Sequence, residues 1–274
     1  MNPTISAVIQ GWYLPDPTTL SPITLEVFQK YTDLPTDSIL PHILAMRERA
    51  WKVYPYPCIG AFRFLDFSIS ESPNYAALVT RLQHGATLLD LGCCFGQDLR
   101  KLISDGAPPA NLYGADIRPD FIDLGYDLFR DRSTLQSTFL APANIFDDAE
   151  DALLATLDAR MDVVHIGSFL HLFEYADQVR AVRRIAGLLK QVKGSVVLGR
   201  QIGSLKSGEY PHPTNKKQTM FRHDCETFKK LWDEAGGEWE VDVELQMTKR
   251  ETGQREPVFG DVDVRWLRFV VTRK

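Results

Sequence analysis

From residue 86 onward, short apolar runs alternate with stretches whose apolar residues recur every three or four positions. Residues 87–91, 111–117, 138–141, 161–167 and 195–199 read as strands, with turn residues such as Gly106, Pro108 and Gly194 between segments. Residues 97–104, 119–130, 147–157 and 177–192 read as the intervening helices. The last is the clearest: Val179, Val182, Ile185, Leu188, Leu189 and Val192 fall on one helical stripe, and Gly194 stops it. Strands separated by helices imply right-handed crossovers and a mostly parallel sheet.

The rhythm changes towards the C-terminus. Residues 223–235 read as a helix closed by Gly236 and Gly237. Val241, Val243 and Leu245 then alternate with Asp242 and Glu244. After a polar loop, Val262, Val264 and Trp266 alternate with Asp263 and Arg265. No helix fits between these two strands, so they are expected to pair antiparallel. At the other end, Pro3, Pro15, Pro17, Pro22 and Pro35 predict an irregular arm over residues 1–36, with one short helix near 25–31. Asp37 or Ser38 is expected to cap a helix running to about Trp51, with Pro41 in its first turn. Tyr54-Pro55-Tyr56-Pro57-Cys58 must leave helical geometry, and residues 74–83 read as a short helix ending at Gly85. The organisation expected is an arm and cap over 1–85, then an α/β domain over 86–274. A long connection at 201–222, with Gly203, Gly208, Pro211 and Pro213, reads as a lid insertion.

Composition adds exclusions. The 274 residues are 44% hydrophobic and 24% charged, enough for a sizeable core. The formal net charge is -5 and no basic run is present, so nucleic acid is not an expected partner. No apolar stretch approaches the ~20 residues that span a bilayer; the best, residues 163–173, contains His165 and His171. Residues 1–5 lack a basic segment followed by an apolar one, so no secretory leader is expected. Cys58, Cys93, Cys94 and Cys225 have neither disulfide nor metal spacing, which points to reduced thiols, a cytoplasmic chain and no metal.

The strongest chemical signal is Asp90-Leu91-Gly92-Cys93-Cys94-Phe95-Gly96 at the end of the first strand. Glycines let the backbone turn sharply and approach a ligand, and the helix that follows points free N–H groups at the turn. A dinucleotide loop requires G-x-G-x-x-G; here Cys94 and Gln97 break that spacing, which disfavours a nicotinamide cofactor. Asp116 ends the second strand, where an acid accepts ribose hydroxyls, with Ile117 beside it for an adenine; alternatively Asp116 caps the next helix.

These residues carry a resemblance. Residues 90–96, Asp116, Asn144-Ile145 and Asp162-Val163-Val164-His165 stand in the order and spacing of class I S-adenosylmethionine-dependent methyltransferase motifs, with Cys94 where a middle glycine is common. The expected fold is therefore α/β: a Rossmann-like class I methyltransferase sheet, mostly parallel with an antiparallel C-terminal strand, and an N-terminal helical or irregular cap. More narrowly, Tyr56-Pro57-Cys58-Ile59-Gly60, residues 89–98 and residues 165–173 resemble the methyltransferases of fungal meroterpenoid pathways. The resemblance runs from about Trp51 to the C-terminus. It implies methyl esterification of a carboxyl group on a prenylated aromatic polyketide by a homodimer. Alternatives are a phenol or amine methyltransferase on another small metabolite, or a non-catalytic scaffold of the same fold.

The resemblance makes Asp90, Gly92, Cys93, Gly96, Asp116, Ile117, Asn144, Ile145 and His165 the donor-binding set. Asn144 is equally at home in a turn, and His165 in a core. Ser168 and His171 follow the fourth strand, where acceptors sit. His171 has three readings: a base for a phenol or alcohol, a cation that binds a carboxylate, or a helix-surface histidine. Arg200, placed just after the fifth strand, pairs with an acceptor carboxylate or is a surface charge. Tyr210, His212 and Arg222 are lid candidates for substrate contact. Trp12, Tyr13, Trp51 and Tyr56 wall an apolar pocket, pack internally or form a dimer interface.

Overall fold

The first third of the chain is helical where its prolines predict an irregular arm. The computed structural model describes residues 3–215, 217–247 and 262–274, and it begins with α1 (Pro3–Trp12), α2 (Pro22–Tyr31), α3 (Thr36–Val53), α4 (Pro57–Gly60) and α5 (Tyr75–Gln83). The prolines mark helix entries: α1 starts at Pro3, α2 at Pro22 and α4 at Pro57, while Pro35 is the N-cap of α3. At a first position the missing N–H has no intrahelical partner to lose. Ser21 completes the start of α2, its hydroxyl accepting from Thr24 N at 3.2 Å. Because α3 begins at Thr36, neither Asp37 nor Ser38 caps it, and Pro41 falls inside the helix instead of in its first turn.

The alternating region supplies β1 (Leu88–Leu91), α6 (Gln97–Ser104), β2 (Leu112–Ala115), α7 (Pro119–Phe129), β3 (Thr138–Leu140), β4 (Val163–His165), α8 (Tyr175–Leu188) and β5 (Val196–Ser204). Then come β6 (Gly208–Pro211), β7 (Thr219–Arg222), α9 (Cys225–Ala235), β8 (Trp239–Gln246) and β9 (Val264–Arg273). Seven strands form one sheet in the order β3-β2-β1-β4-β5-β9-β8. The pairs β2–β3, β1–β4 and β4–β5 are parallel, and β9 runs antiparallel to both β5 and β8. This is the sheet that the alternation of strand and helix predicts. The polar loop expected between the last two strands, at 248–261, lies outside the described residues.

Three expectations fail for local physical reasons. Residues 147–157 form only a 3-10 turn at Leu153–Leu157. Upstream, Asn144 Oδ1 accepts from Phe146 N at 3.0 Å and Asp147 Oδ1 from Ala149 N at 3.2 Å, so side chains compete for the backbone. Helix α8 stops at Leu188 and not Val192, because Leu188 O accepts from Arg160 N and Met161 N and the chain then bridges Met161 through Leu189. Residues 201–222 are no irregular connection: β5 runs on to Ser204, and β6 and β7 form a hairpin from Gly208↔Arg222 to Pro211↔Thr219. Arg200 therefore lies within β5, opposite Arg268 on β9, and not after the strand.

Backbone contacts divide the chain into two compact units, Met1–Ala86 with Gly92–Ala143, and Thr87–Leu91 with Asn144–Lys274. The first has a core that includes Val27, Phe28, Ile39, Ile43, Phe95 and Phe129. In the second, α8 buries Val182, Ile185 and Leu188, α9 buries Phe228, Leu231 and Trp232, and Phe228 meets Phe269 of β9 at 4.7 Å between ring centres. Each such side chain contributes about 1.5–3 kcal/mol on burial.

Candidate active site

The first unit holds the glycine-rich loop. Gly92, Cys94 and Gly96 all adopt left-handed backbone, with φ of 75°, 53° and 63°. For Cys94 this conformation is unfavourable, and a specific bond holds it: Cys94 N donates to Asp116 Oδ2 at 2.8 Å. Gly92 N and Cys93 N both donate to Ala115 O, at 2.8 and 3.0 Å, and Gly96 N donates to Cys93 O at 2.7 Å. The turn is thus tied to the end of β2. Gly96 is the N-cap of α6, and no side chain caps that helix, so its first N–H groups face the turn without a side-chain acceptor. A Cβ on Gly96 would stand 2.5 Å from Arg100 Nη1 and 2.8 Å from Phe139.

Asp116 accepts a second amide, from Arg118 at 2.9 Å. Arg118, not Asp116, is the N-cap residue of α7. Two backbone amides therefore aim the carboxylate. Ile117 next to it is 55% exposed, a large aliphatic side chain left in solvent beside an oriented acid. Sharp loop, uncapped helix start, aimed carboxylate and exposed apolar side chain together suit the amino-acid, ribose and adenine parts of a nucleoside donor. Tyr13 and Trp51 are in edge contact at 5.1 Å, Tyr56 tilts against Phe121 at 5.8 Å, and the backbone of Trp12 lies against Gly60. These four aromatics pack within their own unit.

In the second unit, Asp90 and His165 sit opposite each other in the β1–β4 register. Both are buried, and the imidazole Nδ1 donates to Asp90 Oδ1 at 2.8 Å. Ile145 is buried, while Asn144 is exposed and uses its side-chain oxygen in its own turn. Ser168 is exposed and left-handed (φ 54°), its N–H donating to Arg200 O at 2.7 Å.

His171 is buried, not a helix-surface residue, and its Nδ1 has no hydrogen-bond partner among the described residues. Burial, and then the charge of Arg222, push its pKa down to about 3. The ring is therefore neutral at physiological pH in the unliganded chain, which weighs against the reading of His171 as a carboxylate-binding cation. Two arginines of the same unit are also buried. The Arg222 guanidinium lies 4.1 Å from the centre of the Tyr210 ring, and that of Arg200 lies 4.2 Å from the centre of the Trp266 ring. Tyr210 donates its hydroxyl to Lys206 O at 2.7 Å. His212 organises the hairpin tip: its Nδ1 accepts from Asn215 N at 3.0 Å and Thr214 N at 3.3 Å.

The comparisons with known proteins fall on both segments. The meroterpenoid methyltransferase N-terminal domain matches residues 12–65, and a methyltransferase domain matches residues 89–194. The O-methyltransferase atr3 of Stereocaulon alpinum is 46% identical over 243 residues, covering 87% of this chain and 70% of its own. The chain belongs to this family of fungal methyltransferases. The methyltransferase ausD of Penicillium brasilianum is 37% identical over 245 residues, covering 89% of this chain and 87% of its own. Among solved structures, the Burkholderia thailandensis 1,6-didemethyltoxoflavin-N1-methyltransferase superposes with a TM-score of 0.55 at 18% identity, over 85% of this chain and 90% of that one. That likeness establishes the class I fold. The chain is accordingly an S-adenosylmethionine-dependent methyltransferase related to the O-methyltransferases of fungal secondary metabolism.

Sequence reasoning misses several residues of this methyltransferase. Phe146, Phe169 and Phe173 form an aromatic group beyond β4, with Phe173 edge-on to the other two at 5.0 and 5.4 Å. The i, i+4 spacing of Phe169 and Phe173 was the available signal. Gln201 is wholly buried on β5 with neither amide atom bonded among the described residues; its signal was a polar residue inside an apolar strand. Arg100, buried behind the loop, carried none.

Proposed function

We propose that this methyltransferase esterifies a carboxyl group on a prenylated aromatic polyketide acid, a meroterpenoid intermediate. The observation that carries the reading is His171, the candidate base that follows β4, buried beside Arg222 and held neutral with a pKa of about 3. A carboxylic acid is already ionised at neutral pH and needs no base. A phenol titrates near 10. Passing its proton to an imidazole near 3 would be uphill by roughly 10 kcal/mol at about 1.4 kcal/mol per unit. The buried Arg200 and Arg222 suit an anionic acceptor, and the match to a meroterpenoid N-terminal domain and to proteins named O-methyltransferases supports an oxygen acceptor of that class.

In this reading the loop at Gly92, Cys93 and Gly96 receives the donor's amino-acid part. In the same unit Asp116 holds the ribose and Ile117 meets the adenine; in the second unit Asn144, Ile145, Asp90 and His165 are the donor-side candidates that the family resemblance supplies. When bound, S-adenosylmethionine supplies a methyl carbon activated by the positive sulfur. The chain's own residues do the rest. The arginines hold the acceptor carboxylate, His171 donates or accepts one hydrogen bond without changing charge, and Ser168, Tyr210 and His212 line the acceptor's approach. Orientation of this kind can remove about 7–11 kcal/mol from a barrier in well-aligned systems. The homodimer and the cytoplasmic location belong to the same proposal. The four free thiols support the second, and sedimentation at a monomer mass would exclude the first.

Methyl-labelled S-adenosylmethionine and an extract of fungal aromatic acids provide the test. An ester releases labelled methanol in mild alkali, whereas an aryl ether or a methylamine keeps the label. Alkali-labile label is expected, and alkali-stable label would overturn the carboxyl assignment.

A further inference from the structure

Arg100, on α6, is wholly buried in the first unit, behind the loop at residues 92–96. Its Nη1 donates to Phe95 O at 2.7 Å and to Gly96 O at 3.3 Å. Its remaining nitrogens form a forked pair with Asp131, Nε to Oδ2 at 2.9 Å and Nη2 to Oδ1 at 3.0 Å. Tyr31, the last residue of α2, donates its hydroxyl to the same Oδ2 at 2.8 Å, with its ring edge-on to Phe129 at 6.0 Å. A continuous series of bonds thus runs from a tyrosine of the N-terminal helices, through a buried ion pair, to the last two carbonyls of the loop.

Stability alone is a weak reason for this arrangement. A buried ion pair repays its desolvation poorly, and apolar side chains of the same volume often do as well. What an apolar pair cannot do is reach the loop. Arg100 Nη1 occupies the space that a Cβ on Gly96 would need, and it pins two carbonyls of a turn whose residues Cys94 and Gly96 are left-handed. Guanidinium geometry makes the link directional: the fork to Asp131 fixes the plane of the guanidinium, and that plane fixes where Nη1 points. Burial and the adjacent carboxylate raise the Tyr31 pKa, so its hydroxyl remains a donor throughout the ordinary pH range. Tyr31 lies in the segment matching the meroterpenoid N-terminal domain, and Phe95 and Gly96 lie in the segment matching the methyltransferase domain.

We propose that Tyr31, Asp131 and Arg100 are positioning residues that set the donor loop, so that the N-terminal helices govern affinity for the methyl donor. This rests on the reading that residues 92–96 bind S-adenosylmethionine. None of the three need touch the donor.

The probe is S-adenosylhomocysteine, titrated calorimetrically into the full chain. Tyr31→Phe keeps the ring and its contact with Phe129 and removes one hydroxyl. Thr32→Val is the control: among the described residues its neighbouring buried hydroxyl bonds Phe28 O and Leu34 N and not Asp131. Expected for Tyr31→Phe is roughly a three- to tenfold loss of affinity, the scale of one hydrogen bond, with faster amide exchange at Gly96 and Gln97. Thr32→Val, at a comparable fall in Tm, keeps wild-type affinity and exchange. Unchanged affinity in Tyr31→Phe, or an equal loss in Thr32→Val, overturns the positioning role while leaving the donor loop standing. Failure of the wild-type chain to bind at all overturns the donor reading itself.

Discussion

At the scale of single residues, environment decides role. His171 and His165 are both buried histidines of the second unit, yet His165 is bonded to Asp90 while His171 has an unpartnered Nδ1 and a pKa near 3. An imidazole with so little proton affinity is a poor general base. His171→Asn, which retains a hydrogen-bonding side chain, is therefore expected to lower kcat/KM by less than about tenfold, mostly through a higher KM for the acceptor with kcat little changed. Single-turnover rates check this, and a loss in the range of roughly 10²–10⁴ that general bases supply would return the base role to His171. The type and order of Asp116 and Gly92 were legible in the sequence, because a loop that must turn sharply at a strand end admits few residues. The left-handed Cys94 was not, since the carboxylate that holds its N–H comes from Asp116, on a different strand end.

At the scale of elements, periodicity located most of the α/β region. Residues 97–104 were expected to be helical and are α6 to the residue. The errors lie where long-range pairing overrides local pattern. β5 is read from its apolar start, but its second half, Arg200 to Ser204, is polar or small except for Ile202 and is held as strand by β9, which pairs along its whole length. The hairpin of β6 and β7 shows no alternating apolar signal, yet its turn is built by His212. His212→Ala should free the Asn215 and Thr214 amides. Their hydrogen exchange is expected to rise at least tenfold, with affinity for S-adenosylhomocysteine unchanged. Unaltered exchange at those two amides would show that the imidazole does not hold the turn.

At the scale of the whole molecule, buried neutral histidines couple stability to pH. Burial first pushes His171 to about 3 and His223 to about 4, against 6.5 for a free ring, and burial also lowers His212. Between the folded and free values the unfolded chain binds more protons, so stability rises with pH through that window. It is complete above pH 6.5 and is lost on acidification. At pH 5.5 each of His171 and His223 costs about 1.4 kcal/mol. Asp162 and Asp224, both shifted below the ordinary carboxylate value, act only at lower pH. Urea unfolding at pH 7.5 and 5.5 should therefore show a loss of about 3 kcal/mol, and a flat profile would contradict the burial of these rings. The N-terminal third belongs to this scale as well. Pro3, Pro22 and Pro35 read as breakers because nothing local shows that they stand at helix entries, and α2, α3 and α4 are secured by a core that includes Phe95 and Phe129 from far along the chain.

The sequence by itself determined the sheet, the glycine-rich loop at the end of β1 and the methyltransferase family. Those features rest on short-range pattern: strand and helix periods, glycines where a turn allows no side chain, an acid at a strand end. Only the tertiary structure decided the protonation of His171, the strand that carries Arg200, and the route from Tyr31 through Asp131 and Arg100 to the loop. A pKa follows the dielectric and charges around a group, and Tyr31 and Asp131 stand a hundred positions apart in sequence. No local pattern encodes either, because both depend on which distant residues folding brings into contact.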